Sequence, residues 1–166
     1  MDFVSAHRGA IPATAMGAEG QFTHPLVLRA KLEIAAACHA FAKIPSHCVV
    51  TEFNDARALA AAATRASREF GYTRMWSIHP NQIVTIVAAF APSAAELEQA
   101  VEILIAAQDA HWAPIRHRHG GRDALHDRAS YRYFWQLLDR AQRTGQPLPA
   151  AVRERFFGSS PHPGAA

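Results

Sequence analysis

A histidine, a proline and two amides follow one another at His79, Pro80, Asn81 and Gln82, directly after the mainly hydrophobic segment 75–78. This order predicts a strand that ends where a helix begins, with polar groups gathered at the junction. In a sheet of parallel strands such junctions lie at the carboxyl edge, where ligands bind. His79 and Asn81 are therefore candidate substrate-binding residues. The alternative is structural, with His79 fixing the turn and Pro80 at the first helical position.

Alternating apolar segments must position these groups. Strands predicted at 2–6, 46–52 and 73–78, each followed by a helical pattern, indicate parallel βα units of an α/β protein. Pro25 suits the first turn of a helix that Thr23 or His24 caps, and Ser93 with Glu96 forms a capping box for a later one. We expect helices at 25–43, 54–70, 79–90, 94–111 and 126–143, loops at 7–23 and 113–124, and an extended tail that includes Pro149, Pro161 and Pro163.

The composition excludes several classes of protein. The 166 residues are 49% hydrophobic and carry a formal charge of +3, which suits an ordinary domain. Two cysteines, Cys38 and Cys48, are too few for a disulfide framework and are interpreted as small buried hydrophobes. No apolar run is long enough to span a bilayer, and no signal region is recognised. We expect a soluble cytoplasmic protein with no membrane partner.

A short basic segment precedes the last predicted helix. Arg116, Arg118 and Arg122 lie among His117 and His119. These side chains either meet phosphate or form a solvated loop. The segment is short and carries no recognised nucleic-acid motif, so we expect no nucleic-acid partner. We also expect His117 and His119 to face opposite ways if the chain is extended, which argues against a zinc site.

Three parallel strands make a poor sheet when they stand alone. An all-parallel sheet needs cover on both faces, and a strand at the start of the chain would be an open edge. Two interpretations remain open. Either sheet neighbours are missing from a truncated chain, or the chain is a non-catalytic fragment or assembly subunit that pairs with another chain through this edge.

Three segments resemble one known family. Residues 1–5 (MDFVS) resemble the end of a strand that delivers an acidic residue, and residues 29–37 (RAKLEIAAA) resemble the helix that follows it. Residues 71–83 (GYTRMWSIHPNQI) resemble the family segment GF-x-G-K-x-x-I-H-P-x-Q-I. Over nearly its whole length the chain resembles the C-terminal half of the HpcH/HpaI aldolase and citrate lyase beta-subunit family, which includes malyl-CoA and citramalyl-CoA lyases.

The resemblance implies a fold and a reaction. The expected fold is the last three βα units of a TIM barrel over residues 1–112, with a C-terminal loop, helix and tail over 113–166. The expected activity is Mg²⁺-dependent carbon–carbon cleavage of a 3-hydroxyacyl-CoA, such as malyl-CoA, to a 2-oxo acid and an acyl-CoA. Coenzyme A thioesters and small 2-oxo acids are the implied partners, and the full-length form is expected to be a homo-oligomer.

The same resemblance assigns roles to particular residues. Asp2 matches the aspartate that holds Mg²⁺, whereas the family's glutamate ligand lies on strands that this chain lacks. Arg8 is placed to meet a phosphate of coenzyme A or a substrate carboxylate. Asp123 and Asp127 are the candidates for the acid–base aspartate, although the family pattern D-G-x-M-I-D is altered here. Asp127 has a structural alternative as the cap of the last helix.

Overall fold

The computed structural model describes residues 2–52 and 54–158. The predicted elements that include Met1 or residues 159–166, with Pro161 and Pro163 among them, extend outside this part. The chain is mixed α/β and mostly helical, and it divides into two compact units at Phe90 and Ala91. The sequence analysis placed its boundary at 112. No helix among the described residues is long and apolar enough to cross a membrane.

Unit 1 is built mainly from helices. α3 begins at Pro25, as the sequence predicts, and of the two candidate caps His24 occupies the N-cap position, where its side chain makes no capping hydrogen bond. α4 begins after Asp55, whose carboxylate accepts hydrogen bonds from the backbone N–H groups of Arg57 and Ala58. The elements of unit 1 are α1 (Asp2–Ala6), a 3₁₀ turn (Ala13–Met16), α2 (Gly20–Thr23), α3 (Pro25–Ala40), β1 (Ser46–His47), α4 (Ala56–Arg68), β2 (Arg74–Met75) and α5 (Gln82–Phe90).

The expected sheet of three strands is corrected: one predicted strand is a helix, and the other two strands are shorter than predicted. Residues 2–6 form a helix, and within residues 2–52 and 54–90 the sheet consists of β1 and β2, paired in parallel. Ser46 lies opposite Arg74, and His47 lies opposite Met75. A segment of five residues with an apolar centre suits a short strand or a short helix equally, and periodicity cannot separate the two. Val4 finds its contacts locally, so the segment needs no sheet neighbour.

One apolar core holds α4 and α5 against the small sheet. Ala62, Ala63 and Ala66 are fully buried on α4, and their small side chains let α5 approach closely. Ile86 and Phe90 of α5 pack into the same core. This packing places the turn that precedes α5 at the end of β2.

Unit 2 contains an antiparallel hairpin that the sequence analysis took for a loop. Its elements are α6 (Ala94–Asp109), β3 (Ile115–His119), β4 (Arg122–His126), α7 (Arg128–Arg143) and α8 (Ala150–Phe157). Gly120 and Gly121 join the two strands with φ values of 56° and 81°, which a two-residue primed turn requires and glycine adopts freely. The two strands were not predicted because they are rich in arginine and histidine, so apolar and polar residues do not alternate clearly along them.

Two further expectations about unit 2 are corrected. Side chains two apart on a strand lie on the same face, so His117 and His119 point the same way, and the expectation that they diverge is wrong. The segment around Pro149 is not an extended tail, because Pro149 is the N-cap residue of α8. Val152 of α8 is buried in a core with Leu104 and Leu138. The Ser93–Glu96 capping box of α6 is confirmed.

Candidate functional site

The junction after β2 is a hydrogen-bonded turn organised by Gln82. Its amide nitrogen donates to the carbonyl oxygen of Val50 at 2.9 Å. Its amide oxygen accepts from the backbone N–H of Ile78 at 3.0 Å and from the hydroxyl of Ser77 at 3.2 Å. The buried Gln82 side chain therefore ties the segment after β1 to the segment after β2. This bridge is the structural role that the polar junction performs.

His79 and Asn81 lie on the exposed side of the same turn. The backbone N–H of Asn81 donates to Nδ1 of His79 at 3.2 Å. This hydrogen bond holds the turn, as the structural alternative for His79 expected.

Asp2 and Arg8 lie at the two ends of one short segment. Asp2 is exposed in the first turn of α1, where a carboxylate is favoured by the helix dipole. Arg8 is exposed and has a φ of 51°, so it reverses the chain after α1. Neither side chain lies at a strand end, because the strand expected there is a helix. Within the described residues, Asp2 belongs to no group of three metal-ligating side chains.

A buried polar cluster that the sequence analysis did not identify lies beside β1. The Lys31 ammonium donates to the Gln21 amide oxygen at 2.9 Å and to Nε2 of His47 at 2.5 Å. Nδ1 of His47 donates to the carbonyl oxygen of Cys48 at 2.9 Å, which leaves Nε2 as the acceptor. The Tyr72 hydroxyl donates to the backbone carbonyl of Lys31 at 3.1 Å. Lys31 also lies over the ring of Phe22, 4.3 Å from its centroid.

Burial shifts the ionisation of this cluster strongly. Burial lowers the pKa of Lys31 to about 8, and the nearby Arg65 guanidinium adds to the effect. Burial, reinforced by the Lys31 cation, lowers the pKa of His47 to about 4. Burial raises the pKa of Tyr72 to about 12. At neutral pH the cluster therefore holds a charged lysine, a neutral histidine and a neutral tyrosine.

A cavity of about 160 Å³ opens beside the cluster. A water needs about 10–15 Å³ by this measure, so several waters or a small organic acid would fit. The cavity is lined by Lys31, His47, Tyr72 and Ser46 and by apolar side chains from α1 and α3. The buried hydroxyl oxygen of Ser46 has no hydrogen-bond partner among the described residues. The arrangement can present a cation and a hydroxyl to a small carboxylate or carbonyl group.

The sequence did contain a signal for Lys31. The buried residues of α3 are Val27, Lys31 and Ala35, which follow one another at i, i+4 spacing. The sequence analysis gave Lys31 no role, because a lysine at a core position is rare unless it has partners. Gln21 and His47 are those partners, and they are 10 and 16 residues away in the sequence.

The candidate acid–base aspartates of unit 2 are both engaged in structural contacts. Asp123 accepts from the Arg116 guanidinium across the hairpin at 2.6 Å. Asp127 caps α7, with Oδ1 accepting from the backbone N–H of Ala129 at 3.0 Å and of Ser130 at 3.4 Å. The geometry therefore matches the structural alternative for Asp127.

Among the described residues, one group of three metal-ligating side chains lies close enough to share an ion, and it consists of Glu102, His117 and His119. His117 Nε2 and His119 Nδ1 each lie 3.1 Å from Oε2 of Glu102. These hydrogen bonds, from His119 first and then His117, lower the pKa of the Glu102 carboxyl. The sequence analysis missed this group because it treated the hairpin as a loop.

Comparison with known proteins gives a consistent result at the level of solved structures. A citrate lyase from Burkholderia xenovorans LB400 is 61% identical to the chain, covers 94% of it and superposes with a TM-score of 0.73. The protein CitE from Mycobacterium tuberculosis, solved in complex with magnesium, acetoacetate and coenzyme A, is 22% identical over 84% of the chain with a TM-score of 0.62, and it shows the fold alone. The chain spans 48% of the length of each. No family model and no curated protein matches the chain.

Proposed function

The chain belongs to the HpcH/HpaI aldolase and citrate lyase beta-subunit family, and from this premise we propose that it forms part of a carbon–carbon lyase acting on a coenzyme A thioester. The observation that carries the proposal is the 61% identity to a citrate lyase across 94% of the chain. Because the chain spans only 48% of that protein, we assign the activity to an assembly that also contains the remaining half of the fold.

We propose that unit 1 corresponds to the closing βα units of a TIM barrel. The parallel pairing of β1 with β2 and the helix α4 that connects them support this assignment, because parallel strands need such a crossover. Each strand is only two residues long. Strands that short need neighbours on either side before they make a stable barrel wall.

The proposed substrate is a 3-hydroxyacyl-CoA, with malyl-CoA as the first candidate, and the products are a 2-oxo acid and an acyl-CoA. Cleavage moves the hydroxyl proton to a base and breaks the bond between the hydroxyl-bearing carbon and the carbon next to the thioester. The electrons of that bond form an enolate of the acyl-CoA, which then takes up a proton. One residue that accepts and returns a proton is enough for this sequence.

The described residues supply plausible contacts for this reaction, but they do not fit a magnesium site. CitE was solved in complex with magnesium, whereas Asp2 offers one exposed carboxylate and, within the described residues, belongs to no group of three metal-ligating side chains. No step is therefore assigned to a metal on this chain alone. We propose Arg8 as the partner of a phosphate or carboxylate, and the exposed His79 and Asn81 as residues that contact the substrate. Asp127 is the proposed acid–base residue, through its Oδ2 atom.

The proposal is tested by complementation. The 166-residue chain is produced together with the part of the Burkholderia lyase that it does not cover, and glyoxylate release from malyl-CoA is measured with Mg²⁺ present. We expect cleavage by the pair and none by the chain alone. Asp127→Asn, which removes the proposed proton acceptor and keeps the cap of α7, should reduce kcat by about 100-fold or more in the pair. Glu33→Gln, which changes an exposed carboxylate on α3, is the matched control.

Two results would contradict this assignment. One is an associated pair that cleaves neither malyl-CoA nor citramalyl-CoA. The other is full activity in the Asp127→Asn pair, which would remove Asp127 from the proposed acid–base role.

A second candidate function is assembly without catalysis. Several large apolar side chains of unit 1 are exposed around β2 and α5, among them Trp76 at 66% and Val84 at 78%. Exposed large apolar side chains mark a protein contact where they gather into one patch. We propose that these side chains meet another chain with the family fold. Light scattering after size exclusion would show a dimer or larger species that Val84→Glu dissociates and Glu33→Gln does not, and a monomer at 100 μM or so would count against it.

A further inference from the structure

The hairpin of unit 2 presents two imidazoles on one face. His117 and His119 are separated by one residue on β3, and the period of two along a strand directs both toward α6. Glu102, on α6, lies opposite them. The three side chains come from two elements that pack against each other, so their spacing is set by the core of unit 2 and not by a flexible loop.

The distances match those between ligands of one metal ion. Zinc binds imidazole nitrogen at about 2.0–2.1 Å and carboxylate oxygen at about 2.0–2.2 Å, so neighbouring ligands of a tetrahedral site lie roughly 3.3 Å apart. His117 Nε2 and His119 Nδ1 are each 3.1 Å from Glu102 Oε2. All three ligand atoms lie within 4.8 Å of one another. To bind one ion, each histidine nitrogen would need to move away from Glu102 Oε2 by only a fraction of an ångström.

We propose that Glu102, His117 and His119 bind a divalent transition-metal ion, with Zn²⁺ as the preferred ion. Two imidazoles and one carboxylate suit zinc and other first-row transition metals such as copper and nickel, whereas Mg²⁺ prefers a shell of oxygen atoms. This site lies in unit 2 and shares no residue with Asp2.

The fourth position of the site would face water. The side chains of His117, His119 and Glu102 are 20%, 34% and 42% exposed, so solvent and small ligands reach the cluster. Three protein ligands with an open position are typical of zinc sites that exchange a ligand, whereas structural zinc sites are closed by four protein ligands. The site therefore accepts an exogenous ligand, such as a carboxylate or a second protein's side chain.

The ion also has a structural consequence for unit 2. It would connect β3 to α6 by three bonds where two hydrogen bonds now connect them. Because an ion that binds only the folded state stabilises it by mass action, zinc should raise the unfolding temperature of the chain.

Zinc titration of the intact 166-residue chain, free of any affinity tag, tests the proposal. Calorimetry in a non-coordinating buffer at pH 7.5 should show one Zn²⁺ per chain, and the same titration with Mg²⁺ should show no binding at this site. Glu102→Gln, His117→Gln and His119→Gln should each weaken zinc binding by at least about tenfold. Glu98→Gln, one turn earlier on α6, and His111→Gln, an exposed histidine outside the group, should leave it unchanged.

Two further measurements keep the result independent of folding defects. The unfolding temperature of each metal-free variant is compared with that of the parent chain, and the three ligand side chains are exposed enough that little change is expected. Cobalt bound to the unsubstituted chain should give the strong visible absorption of a four-coordinate site with nitrogen ligands. Absence of zinc binding at 100 μM or so, or retention of full affinity in all three ligand variants, would overturn the proposal.

Discussion

Acid should destabilise unit 1 through a single buried imidazole, that of His47. This side chain is 1% exposed and receives a hydrogen bond from Lys31, so protonating it would place two cations side by side away from water. Burial first and the Lys31 charge second lower the pKa of His47 from 6.5 to about 4. In the unfolded chain the same imidazole takes up a proton near pH 6.5.

The size and sign of the effect follow from this difference. Between pH 6.5 and pH 4 the unfolded chain binds a proton at His47 that the folded chain does not, so the free energy of unfolding falls as the pH falls. At ~1.4 kcal/mol for each tenfold change in proton affinity, the full loss is about 3 kcal/mol, most of which is reached by pH 4.5.

Urea denaturation followed by circular dichroism at pH 7, 6, 5 and 4.5 measures the loss for the parent chain and for His47→Gln. Glutamine can accept from Lys31 and donate to the Cys48 carbonyl, but it does not titrate. The parent should lose about 2–3 kcal/mol more than His47→Gln over this range, because carboxylates contribute equally to both proteins. His111→Gln, which changes an exposed histidine, should follow the parent. Equal losses in the parent and in His47→Gln would refute the reasoning.

Three other predictions concern single side chains. Burial lowers the pKa of Lys31 to about 8, so its charge lowers the free energy of unfolding below that pH. In the parent chain the free energy of unfolding should therefore rise by about 2 kcal/mol from pH 7 to pH 9.5, and in Lys31→Met it should not. Urea titrations at both pH values measure the difference. Gln82→Leu should lose about 2 kcal/mol in urea unfolding, since it leaves the Val50 carbonyl unpaired, and Gln136→Leu on the exposed face of α7 is the control. Asp127→Ala should lower the unfolding temperature through loss of a cap worth about 1 kcal/mol, whereas Asp127→Asn should retain most of it; equal losses in both would contradict the capping role.

Local signals predicted much of the helical structure. The proline and polar residues before α3, the Ser93–Glu96 capping box before α6 and Asp127 before α7 all mark helix starts that the structure has. Capping depends on side chains within three residues of the helix end, so it can be inferred from a short stretch of sequence. The polar turn at residues 79–82 was predicted for the same reason, although its long-range bond from Gln82 to Val50 was not.

Long-range contacts limited the rest of the prediction. Residues 2–6 were assigned to a strand, and they form a helix whose Val4 is buried in one cluster with Ile11 and Val27, which lie outside the segment. The hairpin was missed because its strands consist largely of arginines and histidines. These side chains are partly apolar and partly charged, so their pattern does not show which face of the hairpin is buried. The Gly120–Gly121 pair was the one local signal for the hairpin, because two glycines between two runs favour a primed two-residue turn.

By itself, the sequence determined the family resemblance, the helix starts and the residue types available for chemistry, because these depend on identity and on neighbours a few positions away. Only the tertiary structure decided which of those residues meet. It brought Lys31 to Gln21 and His47 in unit 1, and Glu102 to His117 and His119 in unit 2. The physical reason is that a buried or shared charge is tolerated only where partners arrive from distant parts of the chain, and packing of the whole unit sets those distances.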